Sequence, residues 1–193
     1  TPTHPLVRQA AKRFGPTGAA GSVIAVRTHE VTAGRYPFAV YRWRKLGLKE
    51  DFAFQTVCSD PHVASRLLDL LGTASAADSD GHTREQEKQL ESAHYAAWSQ
   101  ARADHIEQVT QMSAARLASL RLTHEARIAL LEEQRDQAND ERIRRMRESQ
   151  IDTAGLDFER RSAELADAPA RADVVAEAIA FGVLVVEPVT AAG

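Results

Sequence analysis

The chain has 193 residues, of which 44% are hydrophobic and 26% are charged, and its formal net charge is −3. This composition excludes a disordered chain and a membrane protein, because no apolar run approaches the roughly 18 residues that span a bilayer. A single cysteine, Cys58, excludes an internal disulfide, and we expect a cytoplasmic location. Because the sequence opens Thr1-Pro2-Thr3 without a methionine, we expect a fragment of a larger protein.

Charge is distributed unevenly along the chain. Residues 1–60 carry nine Lys and Arg against four Asp and Glu, a net charge of +5. The remaining residues carry 15 basic against 23 acidic side chains, a net charge of −8. A basic front is compatible with nucleic-acid binding, but an ordinary solvated surface explains so modest a surplus equally well.

Two short helices and three strands are predicted in the first 80 residues. One helix begins at His4-Pro5 and ends at Gly15, and the other has Asp60 as its cap and Pro61 in its first position. Between them, β-branched and aromatic residues separated by turn signals indicate strands at 22–31, 36–44 and 51–58. Three consecutive strands of this kind predict an antiparallel meander.

A long stretch without helix breakers follows. No glycine or proline occurs between Gly81 and Gly155, and strong helix formers predominate. The segment Glu132–Arg142 is almost devoid of apolar residues, which favours a chain reversal with Asp140 as a helix cap. We therefore predict helices over about 84–136 and 140–167, joined by a bend near 136–140.

Each of these helices carries a stripe of apolar residues at three- and four-residue steps. The stripes consist of Trp98, Ile106, Val109, Met112, Leu117, Leu120, Ile128 and Leu131 in the first helix, and of Ile143, Met146, Ile151, Ala154, Phe158 and Leu165 in the second. The stripes favour pairing of the two helices within one chain. Self-association through them, as a coiled-coil structural domain, is the alternative.

The predicted fold class is α+β. A closing apolar run at Ala180–Val186 indicates a buried strand that returns to the sheet, whereas Val174–Ile179 fits a helix or a loop. The sheet is expected to be small and mostly antiparallel, with short helices beside it and a long projecting helical hairpin. Residues 1–80 and 170–193 would form the sheet-containing core, and residues 81–169 a coiled-coil-like arm.

No signature of catalysis or of metal or cofactor binding is complete in this sequence. His124-Glu125 begins a zinc-protease motif, but Ile128 stands where the second histidine is needed. Glu91 and His94 have the spacing of a di-iron ligand pair without a second pair, which predicts an ordinary surface pair. We therefore predict no catalytic, metal or cofactor residues, and a chain that is not itself an enzyme.

Two basic clusters are candidate contact sites for nucleic acid or a partner protein. The first is Arg42-Trp43-Arg44-Lys45, where an aromatic ring among cations suits stacking and phosphate contact; the alternative places Trp43 in the core. The second cluster lies near the bend and comprises Arg142, Arg144, Arg145 and Arg147. Because Glu141 and Glu148 flank it, a face of intrahelical ion pairs is the alternative.

Four segments in order resemble the C-terminal region of bacterial SWI/SNF-type helicase-like ATPases of the RapA/HepA group. They are the opening Thr3-His4-Pro5-Leu6-Val7-Arg8, the meander containing Gly34-Arg35-Tyr36-Pro37-Phe38-Ala39-Val40-Tyr41, the charged helix through Glu141-Arg142-Ile143-Arg144-Arg145-Met146-Arg147, and the closing strand Ala180–Val186. Together the segments cover most of the chain. No single motif among them is specific, so the resemblance depends on their order.

The resemblance implies an accessory domain appended to a DNA-dependent ATPase motor. ATP and magnesium would then belong to the motor lobes, because no ATP-binding residue of that family falls in this sequence. The implied partners are the motor lobes of the same polypeptide, duplex DNA and a protein partner held by the helical arm. A different class, a stand-alone nucleic-acid-binding module that uses the basic sheet face, remains the alternative.

Overall fold

The computed structural model describes residues 20–77, 81 and 83–189 and has an α+β fold with one five-stranded mixed sheet. In chain order the elements are β1 (Ala20–Arg27), β2 (Gly34–Leu46), β3 (Asp51–Cys58), α1 (Pro61–Thr73), β4 (Ser75–Ala76), α2 (Arg84–Asp136), α3 (Glu141–Asp167), a 3-10 turn (Pro169–Arg171) and β5 (Asp173–Glu187). The predicted fold class is confirmed, and the sheet is mostly antiparallel. The helix predicted from His4-Pro5 lies outside the described residues.

The strands do not form the predicted three-stranded meander. The sheet order is β3-β2-β5-β1-β4, so β5 lies between β1 and β2. Strand β5 pairs with β1 in parallel, with Ser22 opposite Gly182 and Val26 opposite Val186. Only β2 and β3 form a hairpin, because their four-residue turn brings them together directly. Strand β5 also begins at Asp173, seven residues before the predicted Ala180.

The described residues divide into two compact units. The sheet unit comprises the described parts of Thr1–Arg44, Phe52–Ser99 and Val175–Gly193. The helical unit comprises Lys45–Asp51 and Gln100–Val174. These units differ from the predicted domains in two places. The sheet unit also includes the first 16 residues of α2, which the prediction assigned to the arm. The helical unit also includes the turn between β2 and β3, which the prediction assigned to the core.

Helix α1 covers one face of the sheet within the sheet unit. Its cap Asp60 accepts hydrogen bonds from the backbone N–H groups of His62 and Val63, and Pro61 occupies the first helical position, as predicted. The buried residues of this face form one cluster: Val26, Val31, Phe38, Val40, Val63, Leu67, Leu70, Leu184 and Val186. Gly182 makes the cluster possible, because an added Cβ would lie 2.4 Å from the Ser22 carbonyl oxygen.

The first turns of α2 supply a second group of buried side chains in the sheet unit. Leu90 and His94, which are four residues apart and share one helix face, are both buried. Buried sheet residues Tyr41, Trp43 and Phe181 complete the group. Tyr41 contacts both His94 and Phe181 through its ring, so the aromatic side chains pack as one cluster.

Helices α2 and α3 of the helical unit have nearly the limits that the sequence predicts. Helix α2 ends at Asp136 and α3 begins at Glu141, with the Asp140 side chain accepting a hydrogen bond from the Arg142 backbone N–H. The rings of His124 and Phe158 stack with centroids 4.2 Å apart, which joins the two helices. The turn residue Gly47 has φ 153° and packs against Val109, where an added Cβ would approach to 2.8 Å.

Few residues of the two predicted apolar stripes are fully buried. Val109, Leu131 and Ala154 are buried, but Met112, Ile143 and Met146 remain exposed. None of the helices in the described part of the chain combines the length and the apolar character needed to cross a bilayer.

Candidate functional site

The sheet cluster Arg42-Trp43-Arg44-Lys45 does not present its aromatic ring to solvent. Trp43 is only 6% exposed, and its indole N–H donates a hydrogen bond of 2.9 Å to Nε2 of His94. Period-two alternation along β2 places Arg42 and Arg44 on the opposite, solvated face. Trp43 therefore belongs to the core and is not available for stacking on a base.

The cations of this cluster have separate surroundings. Arg42 donates to Glu177 of β5 at 2.5 Å, in an ion pair that is about half exposed. Arg44 also has an interaction partner. Lys45 belongs to the helical unit, where it lines a cleft with Lys49. The side chains of these four consecutive residues therefore have different surroundings.

The arginine cluster near the bend is occupied by local contacts. Arg145 pairs with Glu141 at 3.1 Å, and Arg144 donates to the Ala138 carbonyl oxygen at 2.9 Å. Arg147 donates to Oε1 of Gln150 at 2.8 Å. Arg142 is exposed. These contacts lie within the bend and the first turns of α3, and those of Arg144 and Arg145 with Glu141 are intrahelical ion pairs.

His94 is buried, so the prediction of a surface pair with Glu91 is wrong for the histidine. Its imidazole stacks on Tyr41 with centroids 3.4 Å apart, and desolvation lowers its pKa below 6.5. Because Nε2 accepts the Trp43 N–H, the ring is neutral and carries its proton on Nδ1. The sequence signal that could have identified this role is the four-residue spacing of His94 from Leu90 on one helix face.

Tyr41 is the least satisfied polar group of this buried cluster. Its hydroxyl is buried and has no hydrogen-bond partner among the described residues. Burial, with added repulsion from Glu91 and Glu87, raises the pKa of Tyr41 to about 12. The phenol therefore stays neutral and is a poor acid or base near neutral pH.

The sheet unit has a surface that combines exposed apolar side chains with charged ones, and we call it the sheet patch. It consists of Arg42, Arg44, Phe52, Phe54, Val175 and Glu177. All of these except Phe54 line a cleft of about 350 Å³. Phe52 and Phe54 are two residues apart on β3, an edge strand, and therefore lie on the same face of the sheet. Their side chains are 56% and 54% exposed. Two exposed phenylalanine rings at a sheet edge are typical of a surface that another polypeptide covers.

Other reactive groups in the described residues offer little chemistry. No group of three or more His, Cys, Asp or Glu side chains is arranged there to hold a metal ion. Cys58 is a free, half-buried thiol whose pKa is raised chiefly by burial, which keeps the unreactive protonated form.

Comparisons with known proteins identify no relative of this chain. Protein-family models, curated proteins and solved structures were each compared with the chain, and none gives a significant match.

Proposed function

We propose that the chain is a non-catalytic accessory domain of a SWI/SNF-type DNA-dependent ATPase and that its sheet patch docks on the motor lobes of the same polypeptide. The ordered resemblance of four segments supports the link to the ATPase. In this proposal ATP and magnesium bind the motor lobes, and the cytoplasm is the compartment in which the protein acts.

The exposure of Phe52 and Phe54 is the observation that carries the docking part of this proposal. Fully burying an exposed phenylalanine side chain contributes about 1.5–3 kcal/mol. Because Phe52 and Phe54 are 56% and 54% exposed, covering both rings would contribute roughly that amount in total. The Arg42–Glu177 ion pair beside them gives the patch a polar boundary of the kind that surrounds apolar interface cores. Aromatic and arginine side chains are enriched in protein interfaces relative to the rest of the surface.

The direct test is binding in trans to the motor lobes encoded with this chain. We expect the purified chain to bind them and the double variant Phe52→Ser, Phe54→Ser to bind at least ten-fold more weakly. The matched control is Leu122→Ser, Leu156→Ser, which removes two side chains that are each 69% exposed on the helices. Absence of helicase motifs next to this chain in its gene, or ATPase activity of the chain alone, would overturn the proposal.

Self-association is the second candidate function, and a specific observation favours it. Six large apolar side chains of the helical unit are exposed: Met112, Leu122, Leu130, Ile143, Met146 and Leu156. If they associate, sedimentation will show a mass that rises with protein concentration, and Leu122→Ser, Leu156→Ser will restore the monomer. If the chain self-associates, this double variant tests the self-association and no longer serves as the control for docking.

A further inference from the structure

Two adjoining clefts of the helical unit are lined by a concentration of positive charge. The larger has a volume of about 790 Å³ and the smaller about 270 Å³, and both are lined by Leu48 and Arg116. We call the joined pair the basic cleft. Its five basic residues are Lys45, Lys49, Arg116, Arg161 and Arg171. They come from the end of β2, from the β2–β3 turn, from both long helices and from the 3-10 turn.

The charge of the basic cleft is opposite to that of the unit that contains it. Five Lys and Arg line the cleft against two acids, Asp51 and Glu164. The helical unit as a whole has 14 Lys and Arg against 17 Asp and Glu, a net charge of −3. The cleft therefore carries a local surplus of three positive charges on a unit whose net charge is −3, and the low-dielectric walls of a cleft strengthen the field of such a surplus.

The arginine side chains of the cleft are held in place but keep donors for a ligand. Arg161 forms an ion pair with Asp157, with its Nε 3.0 Å from Oδ2, and Arg171 donates a hydrogen bond to the Glu164 carbonyl oxygen at 3.3 Å. Arg116 makes no ion pair within the described residues. A guanidinium has five N–H donors, so these contacts leave most of them available. Asp157 offsets part of the charge of Arg161, and the remaining cations still outnumber the acids.

We propose that the basic cleft binds the phosphodiester backbone of a nucleic acid. A single phosphate needs two or three donors, whereas five cations spread over two joined clefts fit a chain of successive phosphates. Arginine and lysine contacts of this kind position a protein on nucleic acid without reading its sequence. The proposed surface differs from the sheet cluster that the sequence suggested, where Trp43 is buried and Arg42 is paired.

This site does not depend on the proposed function. The sheet patch uses other residues, so loss of nucleic-acid binding and loss of motor docking are measured separately. The site would serve equally a domain of a DNA-dependent ATPase and a stand-alone binding module.

The test is fluorescence anisotropy of a labelled 20-base-pair duplex and of the same single strand, titrated with the full chain at several salt concentrations. We expect a dissociation constant on the order of 10⁻⁴ to 10⁻⁶ M near physiological salt, without sequence preference. The triple variant Arg116→Gln, Arg161→Gln, Arg171→Gln should bind at least ten-fold more weakly. On duplex DNA, the plot of log affinity against log salt concentration should become less steep. Its slope should fall in magnitude by roughly 0.9 for each phosphate that the variant no longer neutralises.

Two further variants keep the result interpretable. Arg121→Gln, Arg142→Gln, Arg145→Gln makes the same charge change outside the cleft, and we expect it to retain most of the affinity. Arg116→Lys, Arg161→Lys, Arg171→Lys keeps the charge and should bind almost as well as the native chain. Circular dichroism of each variant verifies that the helices are intact.

Three results would overturn the proposal. One is equal weakening by the two arginine-to-glutamine triples, which would indicate only a general charge effect. Another is complete competition by 1 mM inorganic phosphate, which would assign the cleft to a small anion. The third is the absence of any anisotropy change with either nucleic acid at low salt.

Discussion

The sheet unit and the helical unit are stabilised in different ways. Four of the five largest fully buried side chains, Phe38, Val63, Leu67 and Leu184, belong to the sheet unit. The buried residues of the helical unit are fewer and smaller, and Ala154, Ala168 and Ala172 are among them. Core packing therefore contributes most of the stability of the sheet unit, whereas helix propensity and ion pairs contribute relatively more to the stability of the helical unit. The helical unit accordingly keeps polar, concave surfaces.

The largest expected effect comes from removing a core side chain of the sheet unit. Leu67→Ala should lower the free energy of unfolding by about 4 kcal/mol, because Leu67 is fully enclosed in its cluster and the cavity cannot collapse. Leu131→Ala in the helical unit should cost about 2 kcal/mol, since that buried side chain keeps 8% exposure whereas Leu67 has none. Urea denaturation measures both values. Equal costs would contradict the difference between the units.

Alanine substitutions at two glycines should have opposite effects. Gly182→Ala should destabilise the protein by about 3 kcal/mol, because its Cβ would meet the Ser22 carbonyl oxygen and the Phe38 ring, at 2.4 and 2.8 Å. Gly155→Ala in α3 should stabilise it by about 0.5–1 kcal/mol, because nothing lies within 4 Å and alanine favours the helix. Thermal unfolding of the two variants checks the signs, and a stable Gly182→Ala protein would refute the sheet packing.

The smallest expected effect is a pH dependence that belongs to the sheet unit. Burial lowers the folded-state pKa of His94 below 6.5, so the unfolded chain binds the proton first as the pH falls. The contribution of neutral His94 is therefore complete above pH 6.5 and is lost as the pH falls from there toward the folded pKa. Arg102 lowers the pKa of Asp173, so that group of the helical unit loses its contribution only below about pH 3.8.

Urea denaturation at pH values from 7.5 to 4.5 measures this dependence. We expect His94→Phe to flatten the loss of stability over that range. An unchanged pH profile in His94→Phe would show that His94 is not the responsible group.

Features governed by local signals could be predicted from the sequence. Strand β3 has the predicted limits, Asp60 and Pro61 begin α1 as expected, and α2 ends at Asp136 where the apolar residues cease. Proline, glycine and capping residues act on their immediate neighbours, so one sequence is enough to interpret them.

Features that depend on distant pairing could not be predicted. The insertion of β5 between β1 and β2 joins residues about 160 positions apart, and no local pattern encodes that register. Alanine and glutamate in residues 174–179 favour a helix, yet the pairing of β5 overrides that propensity. The basic cleft was missed for the same reason, because Lys49, Arg116 and Arg171 meet only in the folded helical unit.

The division of roles between the two units is tested most directly by one comparison of duplex-DNA affinity. The chain, the variant Phe52→Ser, Phe54→Ser and the variant Arg116→Gln, Arg161→Gln, Arg171→Gln are titrated side by side over a range of salt concentrations. We predict that the phenylalanine variant binds as the native chain does and that the arginine variant loses at least ten-fold in affinity together with part of its salt slope. Loss of binding in the phenylalanine variant, with the arginine variant unaffected, would contradict the assignment of roles.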